Sequence, residues 1–239
     1  AESGAKVDIA TKYAPVPWRL FGSSVSDAVR DSLSRLKLNQ VTLYQVHWPF
    51  TFLMSQKTLM NALADEVEKG RIVSVGVSNY SASQMREAHQ LLGDRGISLA
   101  VNQIQYSLLF RKVETQGIIS TAKELGITIL AYSPLAQGLL TGKYTPDKPP
   151  SGARKADSRF NATGLAKIAP VLAKLQEIGQ KYQKTPAQVA LNWLIAQGNV
   201  IPIPGAKTAD QVRQNAGALG WSLTPEEVTA LEKISQSWL

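Results

Sequence analysis

Short β-branched runs alternate with amphipathic helical patterns along this chain, and that alternation constrains the fold more than any other feature. Strand-like runs occupy residues 7–11 (VDIAT), 41–46 (VTLYQV), 73–77 (VSVGV), 100–105 (AVNQIQ), 127–132 (ITILAY) and 199–203 (NVIPI), bounded by Gly, Pro and Asn. Between the first two, SVSDAVRDSLSRLKL places Val25, Ala28, Val29, Leu33 and Leu36 on one helical face, and Ser24 with Asp27 predicts a capping box. Residues 56–69 repeat the pattern through Leu59, Leu63 and Val67 and stop at Gly70. Further helices are expected at about 81–92, 112–125, 186–197 and 208–218, with Thr185-Pro186 as an N-cap followed by proline at the first helical position. Such alternation requires parallel strands joined by right-handed crossovers, which leaves a doubly wound sheet or a closed (β/α) barrel. No Gly-x-Gly-x-x-Gly turn follows any strand, so the dinucleotide fingerprint of the open sheet is absent. The strands run into Lys12, His47, Ser78-Asn79, Gln103, Tyr132-Ser133 and Lys207, polar ends that a barrel would gather on one face. The expected class is therefore an α/β barrel.

The 239 residues, 44% of them hydrophobic, suffice for a sizeable core, and by length alone would suit one barrel or two small domains. The absence of cysteine excludes disulfides, thiolate chemistry and sulfur-ligated metal, so a reducing compartment and no metal site are expected. The net charge is +8, but basic residues are interspersed with acidic ones and never run to five. That pattern suits a phosphorylated cofactor or a small anionic substrate better than nucleic acid. Apolar stretches are strand-sized and the start, AESGAKVDIA, lacks a signal-peptide core, so the reading is a cytoplasmic protein, or a plastid stromal one after processing, with no membrane partner. One segment, 136–164, breaks the rhythm: its Pro, Gly and charge predict a mobile clamp or lid within a single domain 1–239.

Each candidate residue has two readings. His47, closing VTLYQV, can be a packed histidine or an acid, base or hydrogen-bond donor near neutral pH. Lys12 can be a surface lysine, or an ammonium whose pKa burial tunes. His89 falls on the polar side of a helix and reads as solvated. Ser78, Asn79 and Gln103 offer the hydroxyl and amides that would pair with a planar carboxamide, or simply cap loops. IPIPGAK, leading into a helix with Gln211 and Asn215, offers helix-end amides and a lysine for an anion, or an ordinary turn.

Together, ATKY, LYQVHWP, GVSNY, NQIQYSLL, AYSPLAQGLLTGKY and IPIPGAK closely resemble the aldo-keto reductases, in family order and over nearly the whole chain. APVPWR and ALNWLIAQGNVIPIPGAK look nearest to the plant-plastid and cyanobacterial branch. The resemblance implies a (β/α)8 TIM barrel, of which about six βα units are present, and NADPH-dependent reduction of a small carbonyl compound. It makes Lys12 and His47 two members of a catalytic Asp-Tyr-Lys-His group, the lysine lowering the tyrosine's pKa and the histidine orienting the carbonyl. It puts Ser78, Asn79 and Gln103 on the nicotinamide carboxamide, Tyr132 against its ring, and Ser133, Leu135, Gln137, Gly138 and Lys143 at the pyrophosphate. Gly205, Lys207, Gln211 and Asn215 fall on the adenosine 2′-phosphate site, which implies NADP(H) over NAD(H). Trp18, Trp48 and Phe110 would line the substrate pocket. The departure is at the beginning: nothing matches the D-T-A-x-x-Y-G segment carrying the family's aspartate and tyrosine, since Asp8 lies inside the strand and Tyr13 follows the lysine. The expectation is thus a reductase whose N-terminal portion is not in this sequence; the alternative is a non-catalytic NADP(H)-binding or regulatory module.

Overall fold

The computed structural model describes residues 7–145 and 148–239. Six strands, β1 (Ala10–Tyr13), β2 (Val41–Val46), β3 (Ile72–Ser78), β4 (Leu99–Gln105), β5 (Thr128–Tyr132) and β6 (Val200–Ile203), form a sheet in chain order. The helices are α1 (Ser23–Leu36), α2 (Gln56–Glu68), α3 (Ala82–Gly93), α4 (Lys112–Thr115), α5 (Ile118–Glu124), α6 (Ala162–Tyr182), α7 (Pro186–Ile195), α8 (Ala209–Ala216) and α9 (Pro225–Ile234). The chain divides into two compact units, residues up to Ile104 with Gln116–Ile129, and Gln105–Thr115 with Leu130–Leu239.

In the first unit β1 to β4 are parallel, with Lys12 beside Gln45, Gln45 beside Gly76 and Gly76 beside Val101. Parallel partners share a face and neighbours along a strand alternate. One face carries Tyr13, Tyr44, Val46, Val75 and Val77, all buried; Tyr44 Oη lies 3.3 Å from Ser32 Oγ, so α1 covers it. The other carries Lys12, Leu43, Gln45 and His47. A Cβ on Gly76 would stand 2.5 Å from Val101 Cγ2 and 3.0 Å from Gln45 Cγ, so the missing side chain is what lets its neighbours close over the strand. On α2 the buried carboxylate of Glu66 accepts from Lys69 Nζ at 2.9 Å and Arg71 Nη1 at 2.8 Å, satisfying a charge that would otherwise be costly.

In the second unit, buried Arg111 donates through Nε to Glu114 Oε1 (2.7 Å) and through Nη1 to the Glu232 carbonyl (2.7 Å) and Ser235 Oγ (3.0 Å). Tyr106 Oη donates to the same Glu114 oxygen at 2.9 Å, and the Arg111 guanidinium lies 5.5 Å from the Trp193 ring centroid. This network ties the segment after β4 to the end of α9. Asn192 on α7 works similarly, donating to the Ala218 and Trp221 carbonyls and accepting from Leu223 N.

Several local expectations change. The first strand begins at Ala10 instead of Val7, which places Lys12 within the paired segment. The Ser24-Asp27 box does not form: α1 starts at Ser23 behind Gly22, Ser24 is already helical, and Asp27 pairs with Arg30. Capping boxes form at Ser81-Gln84, Thr185-Gln188 and Thr224-Glu227. The pattern at 112–125 is two helices, because Gly117 takes φ 72° between them. The stretch 136–164 holds three 3-10 turns, Ala136–Thr141, Gly152–Ala156 and Ser158–Phe160, with Phe160 only 2% exposed and edge-on to Tyr144 at 5.2 Å. The 21-residue α6 and α9 were not expected. His89 is half-buried, its Nδ1 enclosed without a partner among the described residues, where a solvated ring was expected.

Candidate functional site

Alternation along β2 puts His47 on the same face as Gln45, and register puts Lys12 there too. The backbone joins them as well, His47 N donating to the Tyr13 carbonyl at 2.9 Å. Burial lowers the Lys12 pKa below the ordinary lysine value. Burial, and secondly the Lys12 charge, hold His47 below the ordinary histidine value. Its imidazole is therefore neutral near neutral pH and has one N–H to donate. The ring packs 4.5 Å from Trp48, whose Nε1 donates to the Pro15 carbonyl at 3.1 Å. Trp18 lies in the loop after β1 with 76% of its surface exposed.

The ends of β3 and β4 supply the amides. Ser78 Oγ donates to the Gln103 carbonyl at 2.8 Å, and Asn79 Nδ2 reaches the His47 carbonyl at 3.3 Å and Ser78 Oγ at 3.2 Å. Asn79 holds φ 61°, a left-handed backbone that asparagine tolerates better than most residues. The first unit thus brings Lys12, His47, Ser78, Asn79 and Gln103 to the C-terminal ends of four neighbouring strands.

In the second unit Tyr132 ends β5, half-buried, with burial raising its pKa. Ser133, Gln137 and Gly138 take positive φ (51°, 58° and 100°), and Ser133 and Leu135 accept through their carbonyls from Ala136 N and Gly138 N. Lys143 folds back over this turn: a Cβ on Gly138 would meet Lys143 Cε at 3.1 Å, and Lys143 Nζ lies 4.8 Å from the Tyr144 ring. Gly205 and Lys207 are exposed ahead of α8, whose N-cap Thr208 accepts from Gln211 N. Gln211 Oε1 accepts from Lys207 N at 2.6 Å, so its side chain braces the loop. Asn215, one turn on, lines an apolar cleft of about 540 Å³ with Leu191, Val200, Pro204, Val212 and Leu219. Phe110 closes a tight turn with Ser107, N to carbonyl at 2.9 Å.

A profile of the aldo/keto reductase family matches residues 1–236. The chain belongs to the aldo/keto reductase family. It is 43% identical over 229 residues to the chloroplastic pyridoxal reductase of Arabidopsis thaliana, covering 95% of this chain and 62% of that protein. It is 32% identical to the NADH-specific methylglyoxal reductase of Escherichia coli, covering 90% and 65%. A glycerol dehydrogenase from Gluconobacter oxydans superposes with TM-score 0.89 at 28% identity, over all of this chain and 75% of that one. The family's α/β barrel class is that expected from the alternation, with six strands among the described residues. This aldo/keto reductase chain carries no helix among its described residues long and apolar enough to cross a membrane. Two of its residues stood outside the sequence reading. Asn102 is fully buried and clasps the turn after β3, donating to the Tyr80 carbonyl at 3.0 Å, and Gln45 lies buried beside Lys12; their only sequence signal is an amide inside an apolar strand.

Proposed function

We propose that this chain serves NADP(H)-dependent reduction of an aldehyde or ketone to an alcohol. The observation that carries the reading is Lys12 and His47 on one sheet face at adjoining strand ends, where partial desolvation of a largely exposed ring and the lysine charge keep the imidazole neutral. A neutral imidazole donates to a carbonyl oxygen and aligns it, while the ammonium steadies negative charge developing there. The bound nicotinamide nucleotide supplies the hydride. Ser78, Asn79 and Gln103 would hold its carboxamide, and Tyr132 its ring. Ser133, Leu135, Gln137, Gly138 and Lys143 would close over its pyrophosphate as part of a clamp spanning 136–164. A Cβ at Gly138 would crowd Lys143 Cε at 3.1 Å, so glycine there is what lets the lysine side chain lie against the turn. Gly205, Lys207, Gln211 and Asn215 would take the 2′-phosphate, supported by an exposed lysine at a capped helix N-terminus. Trp18 and Trp48 would flank the carbonyl compound.

The proton must come from elsewhere, since no residue of this sequence matches the family's aspartate and tyrosine. General acid help is worth roughly 10²–10⁴-fold. The 239-residue chain should therefore bind NADPH yet reduce benzaldehyde slower than family members that carry the acid by about that factor. Steady-state assay of NADPH oxidation checks this. Turnover at ordinary family rates would contradict the missing-acid assignment, and failure to bind NADPH would contradict the reading as a whole.

A further inference from the structure

The exposed Trp and Phe side chains among the described residues, Trp18, Phe21, Phe50 and Phe52, all stand on the two loops that follow β1 and β2. Single exposed apolar residues mean little, but a set gathered on adjoining loops marks a surface that binds something. Trp48 Nε1, donating to the Pro15 carbonyl, ties the two loops together beside His47.

The loop after β2 holds its apolar side chains outward. Met54 N donates to the Thr51 carbonyl at 3.1 Å and Thr51 Oγ1 donates to the Met54 carbonyl, closing a turn whose last side chain, Met54, is buried. Within it Phe52 takes φ 56°, a left-handed backbone that bulky residues rarely adopt, and Leu53 is 84% exposed. Strain of this kind, with the apolar groups turned to water, points to a function for the turn. The Phe52 ring meets Phe50 edge-on at 4.5 Å, and Trp48 meets His47 at 4.5 Å, so rings begin at the imidazole and continue along the loop. The polar side chains of the loop are already engaged: Trp48 by Pro15, Thr51 by Met54, and Ser55 by the first turn of α2.

We propose that Phe50, Phe52 and Leu53 form an apolar lip that selects aldehydes and ketones carrying an aryl or bulky aliphatic group over hydroxylated ones. The proposal rests on the carbonyl-reduction reading of Lys12 and His47 and names the substrate class for it. An aryl group gains by leaving water against the rings, whereas a polyol would give up hydrogen bonds to water that this loop does not replace.

The experiment uses the full 239-residue chain with NADP+, whose oxidised ring has no hydride to give, so aldehyde binding is read without turnover. Para-fluorobenzaldehyde is titrated by fluorine NMR, with glyceraldehyde as competitor. The wild type should bind the aryl aldehyde at least about tenfold more tightly. Phe52→Asn, which suits the left-handed backbone, and Leu53→Ser should each weaken the aryl aldehyde by about threefold to tenfold and leave glyceraldehyde unchanged. Absence of aryl aldehyde binding, equal affinity for the two aldehydes in the wild type, or a double variant that binds the aryl aldehyde as the wild type does overturns the proposal. So does a dimer that Phe52→Asn dissociates, since a second copy would then cover the lip. His47→Ala should weaken both aldehydes alike; if it weakens neither while the aryl preference persists, the functional reading fails and the selectivity of the lip stands.

Discussion

A histidine that shares a sheet face with a lysine ammonium is hard to protonate, because the new charge is both desolvated and repelled. Here both causes act on His47, burial first and Lys12 second. With only two histidines in the chain, NMR resolves them directly. His47 should titrate below its ordinary value of 6.5, and Lys12→Met should move the midpoint back toward it. A His47 midpoint at or above the ordinary value would contradict the placement. The sign for stability follows from linkage: a lowered folded pKa means that the unfolded chain takes the proton more readily. The His47 contribution is then fully present above 6.5 and lost as pH falls through the folded value. The exposed ring keeps that loss small, and His47→Gln should flatten it.

At the scale of elements, stability concentrates where buried polar groups tie segments together. Arg111, its side chain 5% exposed, joins the segment after β4 to the last turn of α9. Arg111→Met keeps the aliphatic bulk but leaves Glu114 facing an empty place, the Glu232 carbonyl without its donor and Ser235 with one contact fewer. Breaking such a pair costs about 3–5 kcal/mol, which a urea melt of the variant should show. A loss under about 1 kcal/mol would mean the pair is worth no more than a surface one. The segment 136–164 is the opposite case, with short 3-10 turns and many exposed positions. Its ordering on cofactor binding would appear as slowed amide exchange across 136–164 at saturating NADPH. Unchanged exchange there, with protection gained at 205–215, would make the segment a bystander.

For the whole molecule, the βα alternation was legible because strands buried on one or both faces need β-branched residues and their helices need an apolar stripe. Five of the six strands lie within a residue or so of where their pattern put them, while β1 lies later, its pairing with β2 deciding where it starts. Lys12, His47, Ser78, Asn79, Gln103, Tyr132, Ser133 and Lys207 were legible as polar residues at strand ends, whereas Leu135, Gln137, Gly138 and Lys143 were marked only by the family resemblance. Gln45 and Asn102 were not legible, because an amide inside a strand says nothing of what it faces until register is known. The helix α6 carries its own stripe, Leu165, Ile168, Val171, Leu175 and Ile178, but adjoins a Pro- and Gly-rich stretch and contains Gly164, Pro170 and Gly179. Those glycines answer to tertiary contact: a Cβ on Gly164 would lie 2.4 Å from the Ser158 carbonyl oxygen, and one on Gly179 2.3 Å from that of Lys184.

The central claim, a chain built to hold NADP(H) for carbonyl reduction, turns on whether Lys207 reads the 2′-phosphate, since one relative is by name NADH-specific. A fluorescence titration of wild type and Lys207→Ala with NADPH and NADH tests it most directly. Charge-assisted hydrogen bonds of about 1.5–3 kcal/mol predict that the wild type binds NADPH about tenfold to a hundredfold more tightly than NADH. Lys207→Ala should bring NADPH down to the NADH level, with the effect shrinking in high salt, while NADH binding stays as it was. Equal losses for both cofactors, or no preference in the wild type, would contradict the account.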